Sequence, residues 1–154
     1  MRSTTSSLVL AISAAILAAA YSAEYIGGLK PCTLCLYERV PWFLAGILSL
    51  GIVVMQFTGP MQRLLLLIGG LALLAGAGVS VYHVGVEEHW WAGPGGCTTP
   101  AELPQSLSEL KSQLKAAAQP RCDEIPWQMW GISMAGYNGI ASFGTALLAL
   151  IGRR

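Results

Sequence analysis

The chain has 154 residues, of which 54% are hydrophobic and 11% are charged. Ordinary soluble domains carry about a quarter charged residues, so this composition excludes a typical soluble globular protein. The net charge is +1 and no basic stripe runs along the chain, which argues against nucleic-acid binding. The chain is therefore interpreted as a protein that crosses the lipid bilayer several times.

Four largely uncharged stretches are each long enough for a helix to cross the roughly 30 Å hydrocarbon core of a bilayer. They predict an all-α membrane protein, a single four-helix transmembrane domain with spans at about 4–25, 36–57, 62–85 and 128–151. Turn residues separate the spans: Gly27 and Gly28 follow the first, Thr58-Gly59-Pro60 follows the second, and a glycine-rich turn at 93–96 follows the third.

The first stretch has an alternative interpretation as a cleaved signal peptide, because Arg2 precedes its apolar run. The run is long for a signal sequence. Ala11, Ala15 and Ala19 also recur at the i, i+4 spacing of a closely packed membrane helix. A membrane span is the favoured interpretation.

The charges predict an orientation. Arginines without neighbouring acids flank the spans on one side, at Arg2, Arg63, Arg153 and Arg154, whereas every acidic residue falls on the other side. The positive-inside rule then places both termini in the cytoplasm and the loops at about 26–35 and 86–127 in the periplasm. All the cysteines lie in these outer loops. The tryptophans also fall near the outer boundary, as an interfacial aromatic belt would: Trp42, Trp90, Trp91, Trp127 and Trp130.

Cys32 and Cys35 form a C-x-x-C pair at the predicted start of the second span. A bridge across two residues constrains little chain entropy, so this spacing favours redox exchange over a structural role. The positive end of the helix would lower the thiol pKa. Arg39, one turn after Cys35, would further stabilise a Cys35 thiolate. Alternatively, Arg39 pairs with Glu38 or extends to the membrane interface.

Cys97 and Cys122 lie in the second outer loop. A bridge between them is either a structural disulfide or an exposed, exchangeable one, and the spacing leaves both open. Leucines recur between them at helical spacing, which predicts a short amphipathic helix either on the membrane surface or docked on the bundle: Leu103, Leu107, Leu110 and Leu114.

A zinc site is the rival use of four cysteines. Its usual signature repeats the C-x-x-C pair, whereas the second pair here is far apart, so no metal site is predicted. His83 is the better functional candidate of the two histidines, because ionisable groups inside a membrane are costly to keep. His89 is interpreted as an interfacial residue, and Asn138 as a hydrogen-bonding residue between helices.

The segment Cys32-Thr-Leu-Cys35-Leu-Tyr-Glu-Arg39 at the head of a span, with two further cysteines in a later outer loop, resembles the disulfide bond formation protein B family, DsbB. The segments Tyr82-His83 with Gly85-Val86-Glu87, Cys122–Trp127 and Gly131–Asn138 are similar to bacterial members of that family. The resemblance covers the whole chain in topology and is most specific at the first motif.

The resemblance implies an inner-membrane disulfide oxidoreductase that reoxidises a periplasmic thioredoxin-fold oxidase (DsbA-like) and passes electrons to ubiquinone or menaquinone. It implies that Cys97 and Cys122 meet the oxidase, and that Cys32 and Cys35 are the quinone-proximal pair. It also implies that Arg39 contacts the quinone and that His83 belongs to the quinone pocket. Two alternatives remain from the sequence: a vitamin K epoxide reductase-like enzyme, and a non-catalytic four-span scaffold with structural disulfides.

Overall fold

Four helices make up most of the computed structural model, which describes residues 2–94, 97, 106–108, 111 and 120–152. The helices are α1 (Arg2–Tyr25), α2 (Thr33–Val54), α3 (Gly59–Glu87) and α4 (Met134–Gly152). A small antiparallel hairpin of β1 (Gln128–Met129) and β2 (Ile132–Ser133) precedes α4. Each of these helices is long and apolar enough to span a membrane, which confirms the predicted four-helix bundle.

The helices approach each other closely at small residues. A Cβ atom added to Gly76 of α3 would lie 2.9 Å from Pro41 Cγ of α2, and one added to Gly139 of α4 would lie 3.1 Å from Ser80 Cβ of α3. In a membrane the hydrophobic effect does not drive helices together, because lipid is as apolar as the helix surface. Small residues at the crossings let the backbones approach closely, so that van der Waals packing holds the helices together. These crossings hold α2, α3 and α4 together around the site described below.

The outward faces of the helices are apolar. Large hydrophobic side chains such as Ile47, Leu71, Val81 and Ile140 are exposed on the surface of the bundle. In a soluble protein an exposed apolar surface of this extent would promote association, but in a bilayer it contacts acyl chains. The chain is a multi-pass membrane protein.

The third helix begins at the predicted turn at 58–60, and the second begins at Thr33, beside the cysteine pair. The fourth helix begins later than the predicted fourth span. The fourth helix begins at Met134, not at 128, because residues 128–133 form the hairpin. Its turn residues, Trp130 and Gly131, have φ of 51° and 76°. Such left-handed pairs form the tight two-residue turns of hairpins and cannot continue a helix.

The N-terminus of α1 and the C-terminus of α4 lie at the end of the bundle opposite the cysteines. A Cβ atom on Gly152, at the end of α4, would lie 2.5 Å from Thr5 at the start of α1. Gln62, just after the α2–α3 link, donates to Ser6 Oγ at 3.2 Å, so this link lies at the same end. The predicted amphipathic helix falls on residues that lie outside the described part of the chain, apart from 106–108 and 111.

Candidate active site

The C-x-x-C pair sits where the sequence predicts it, at the N-terminus of α2. Cys32 is the N-cap residue, and its Sγ accepts a hydrogen bond from the Cys35 backbone N–H at 3.3 Å. The two sulfurs are 2.9 Å apart. The free N–H groups and the positive end of the helix dipole therefore face a sulfur that can carry negative charge.

Cys32 is well suited to exist as a thiolate in the reduced pair. The hydrogen bond from the Cys35 thiol, together with the nearby His83, lowers the pKa of Cys32 to about 4, despite the opposing effect of burial. The thiolate is the nucleophile in thiol–disulfide exchange. Reduced Cys32 is therefore in its reactive form at neutral pH.

The second cysteine pair is a disulfide, and it is buried. Cys97 and Cys122 are bonded to each other, with 1% and 0% of their surfaces exposed. They share one apolar cluster with Cys32, Leu34 and Val86, and Cys35 packs against its edge. The sequence left open whether this bridge is structural or exchangeable. The structure adds that Cys97 and Cys122 pack beside the start of α2, so the two pairs are neighbours.

His83 and Glu38, from different helices, lie within ion-pair distance of each other in the protein interior beside Cys32. His83 of α3 places Nε2 at 3.5 Å from Cys32 Sγ, and its Nδ1 lies 2.9 Å from Glu38 Oε1 of α2. Both side chains are almost fully buried. A buried carboxylate needs partners to compensate its desolvation, and His83 is such a partner for Glu38. The contact between them in turn fixes the orientation of the imidazole ring.

Asn138 of α4 joins this network, as its predicted interhelical role requires. Its Nδ2 donates to Glu38 Oε2 at 3.1 Å and to Ser80 Oγ at 2.9 Å. Its Oδ1 accepts from Trp42 Nε1 at 2.8 Å. The assignment of Trp42 to an interfacial belt is wrong: its indole is 1% exposed and lies in the core, where Asn138 satisfies its N–H.

A second buried carboxylate lies on the other side of His83. Glu87 Oε1 is 4.0 Å from His83 Nε2, and Glu87 Oε2 accepts a hydrogen bond from Ser133 Oγ at 2.5 Å. Ser133 belongs to the hairpin before α4. This contact ties the hairpin to the end of α3, next to the cysteines.

Arg39 lies near Cys35 but pairs with a residue of α1. Its Nη1 donates to Glu24 Oε2 at 2.6 Å, and its guanidinium lies 4.7 Å from the centre of the Tyr21 ring. Neither partner was anticipated from the sequence, because both depend on how α1 packs on α2. The pairing holds the guanidinium at one position and leaves several of its five N–H donors for another group.

These residues surround one cavity of about 200 Å³. Residues of α1 and α2 supply apolar walls, and the polar lining combines most of the groups described above: Cys32, Cys35, Glu38, Arg39, His83, Glu87 and Asn138. The cavity thus brings together four of the predicted site residues, Cys32, Cys35, Arg39 and His83. Cys97 and Cys122 lie in the cluster behind Cys32.

Sequence reasoning missed the roles of Glu38 and Glu87. The sequence predicts only that Glu38 is a possible partner of Arg39 and that Glu87 belongs to a motif. A usable signal existed: each is an acidic residue at the edge of an apolar span, and such residues are costly unless they have a function or a partner. Their shared partner, His83, lies 45 residues from Glu38 and could not be identified without the helix packing.

Comparison with known proteins identifies the family of the chain. The family model described as "Disulfide bond formation protein DsbB" matches residues 2–152. The chain belongs to the DsbB family. Membership makes it a disulfide-forming oxidoreductase and confirms the resemblance found in the sequence. No solved structure matches the chain significantly.

Several relatives in the DsbB family carry the name Disulfide bond formation protein B. The protein of Pasteurella multocida (strain Pm70) is 32% identical over 132 residues, covering 80% of this chain and 70% of the relative. That of Shewanella sp. (strain MR-4) is 32% identical over 143 residues, covering 89% and 78%. That of Methylococcus capsulatus is 29% identical over 143 residues, covering 90% and 85%.

Proposed function

We propose that this DsbB family member transfers electrons from a periplasmic thioredoxin-fold dithiol oxidase (DsbA-like) through its two cysteine pairs to a membrane quinone. One observation carries the proposal: the Cys97–Cys122 disulfide packs in the same buried cluster as Cys32, while Cys35 borders both this cluster and the cavity. The cysteines therefore form a continuous path from the loop to the membrane helices.

The relay is a sequence of three thiol–disulfide exchanges. A thiolate of the partner attacks Cys97, which breaks the Cys97–Cys122 bond and releases Cys122 as a thiolate. Cys122 then attacks Cys32 in a Cys32–Cys35 disulfide, and Cys35 leaves as the thiolate. The second partner thiol resolves the bond to Cys97, so that the partner leaves oxidised and its electrons stay on the cysteines of this chain.

The residues of the cavity fit a quinone ring. Ile16, Leu17 and Ala20 of α1 offer an apolar wall, and the Arg39 guanidinium offers donors that a quinone carbonyl can accept. A bound quinone supplies the acceptor for two electrons and two protons. The chain supplies the Cys35 sulfur at the wall of the cavity. The positive charge of Arg39 favours negative charge on groups in that cavity.

Burial of the Cys97–Cys122 bridge has a consequence for the partner. With exposures of 1% and 0%, neither sulfur is open to a protein nucleophile in the described conformation. The loop segment that holds Cys97 must therefore move away from Val86 and Leu34 before exchange. We infer that docking of the partner stabilises this open arrangement.

We also propose the orientation that the arginines predict, with both termini in the cytoplasm and the cysteines in the periplasm of a bacterial inner membrane. In a variant without native cysteines, Lys30→Cys should react with a membrane-impermeant maleimide from the periplasmic side. Thr58→Cys should react only after the membrane is permeabilised. Labelling of both positions from the same side would contradict the four-span topology.

The proposed function is tested by steady-state turnover of purified protein. With a reduced DsbA-like partner and added ubiquinone or menaquinone, one quinone should be reduced for each partner disulfide formed. Wild-type protein should turn over repeatedly, and Cys35→Ser should reduce no quinone. Repeated partner oxidation with no change in the quinone would contradict the proposed acceptor.

A further inference from the structure

Three potential metal ligands converge inside the active-site cavity. Cys32 Sγ, Cys35 Sγ and His83 Nε2 all lie within 4.8 Å of one another. Among the described residues, this is the group of three side chains that could hold a metal ion. The two thiols come from the start of α2, and the imidazole comes from α3. When the pair is reduced, this set offers two sulfurs and one nitrogen, the ligand types that Zn²⁺ prefers.

The imidazole is held in the orientation that a metal ligand needs. Its Nδ1 lies 2.9 Å from Glu38 Oε1, and the other Glu38 oxygen accepts from Asn138. A carboxylate at this position keeps the proton on Nδ1, so the Nε2 lone pair is directed toward the thiols. Histidines that bind metals commonly have such a carboxylate behind them.

The distances are close to those of a tetrahedral site. Bond lengths of about 2.3 Å for Zn–S and about 2.0 Å for Zn–N place a sulfur and a nitrogen roughly 3.5 Å apart, and two sulfurs roughly 3.8 Å apart. The observed separation of Cys32 Sγ and His83 Nε2 is 3.5 Å. The sulfurs, 2.9 Å apart, must separate further. A side-chain rotation of Cys35, which borders the cavity, provides this movement.

The charge of the ligands and the fourth coordination position also suit a divalent cation. Two thiolates neutralise the charge of Zn²⁺, and Glu87 Oε1 lies 4.0 Å from His83 Nε2, the ring nitrogen that also lies near Cys32. Either Glu87 or a water can take the fourth position. Cys97 and Cys122 contribute nothing, because they are bonded to each other.

We propose that the reduced Cys32–Cys35 pair and His83 form a redox-gated site for Zn²⁺ or another thiophilic divalent cation. Binding releases the proton of the Cys35 thiol, because Cys32 is already a thiolate, and it involves no electron transfer. A Cys32–Cys35 disulfide has no thiolate to donate, so oxidation abolishes the site. The sequence argued against a structural zinc centre built from four cysteines, whereas this site uses two cysteines and a histidine.

The proposed function adds a regulatory consequence, which depends on that function being correct. A metal on Cys32 and Cys35 blocks both sulfurs from exchange, so bound Zn²⁺ holds the enzyme in its reduced state. Metal binding itself does not require the relay or the quinone.

The test is a titration of the reduced full-length protein in detergent, with Cys97→Ser and Cys122→Ser removing the other thiols. Co²⁺ serves as the spectroscopic probe, followed by competition with Zn²⁺. The reduced protein should bind one equivalent, with the visible spectrum of tetrahedral cobalt bound by thiolates. The same protein oxidised to the Cys32–Cys35 disulfide should bind none, a control that needs no change in sequence.

Two further variants assign the ligands. His83→Gln should weaken binding by at least about 100-fold, and Glu38→Gln should weaken it by about 10- to 100-fold, as loss of a supporting carboxylate does. His89→Gln, which changes the exposed histidine after α3, should bind like the parent protein. The proposal is overturned by the absence of stoichiometric binding in the reduced protein, or by equal binding in the oxidised protein or in His83→Gln.

The two proposals fail separately. If turnover with quinone is normal but the reduced protein binds no metal, only the metal site is wrong. If the metal binds as described but no quinone is reduced, only the proposed acceptor is wrong.

Discussion

Replacing Cys35 and Cys97 together by serine is expected to trap a disulfide between Cys32 and Cys122 in most of the protein. These two replacements remove the leaving group at one pair and the partner-facing sulfur at the other. The remaining sulfurs lie in one buried apolar cluster, so little loop closure is needed to join them. Non-reducing peptide mapping after alkylation detects the bond.

A matched double variant makes this result specific. Cys32→Ser with Cys97→Ser leaves Cys35 and Cys122, and Cys35 only borders the cluster on its cavity side. This variant should cross-link far less under the same oxidising conditions. Two free thiols in the Cys35→Ser, Cys97→Ser protein, or equal cross-linking in both variants, would contradict exchange between Cys122 and Cys32.

Arg39→Met is expected to lower quinone-dependent turnover by about 10- to 100-fold. This range corresponds to the roughly 1.5–3 kcal/mol that a hydrogen bond to a charged group contributes. Methionine keeps much of the length of the side chain but removes the cation from the cavity that Cys35 borders. The rate of quinone reduction should fall, whereas the rate of the first exchange, between the partner and the Cys97–Cys122 disulfide, should stay unchanged.

Three comparisons separate the charge of Arg39 from its packing. Arg39→Lys should be intermediate, because an ammonium lacks the planar donor geometry of a guanidinium. Glu24→Gln, which weakens the ion pair but keeps Arg39, should have a smaller effect. Arg63→Met, at the far end of the bundle, should behave like wild type. Unchanged quinone kinetics in Arg39→Met would assign Arg39 to anchoring α1 on α2.

The bundle was predictable because the bilayer restricts the chain so strongly. A chain in lipid must satisfy its backbone hydrogen bonds internally, so long uncharged stretches become helices. Hydropathy does not distinguish a helix from a short apolar hairpin, and this explains why the fourth helix starts later than the predicted span. The Trp130-Gly131 turn before Met134 was a local signal, but a weak one next to a continuous apolar run.

The active site was predictable in its cysteines and less so in its surroundings. The C-x-x-C pair and its place at the head of α2 follow from local spacing alone. The His83–Glu38 contact and the Arg39–Glu24 ion pair join different helices, so they depend on helix rotation and tilt. These are set by packing at small residues such as Gly76 and Gly139, which a single sequence does not reveal.

A single-turnover count of electrons tests whether the two cysteine pairs form one relay. Fully oxidised, quinone-free protein is mixed with excess reduced DsbA-like partner, and the partner disulfides formed per chain are counted. Wild-type protein should yield one equivalent from each of its disulfides, the Cys32→Ser, Cys35→Ser variant only one equivalent in all, and the Cys97→Ser, Cys122→Ser variant none. A single equivalent from wild type, or undiminished oxidation without Cys97 and Cys122, would contradict the relay.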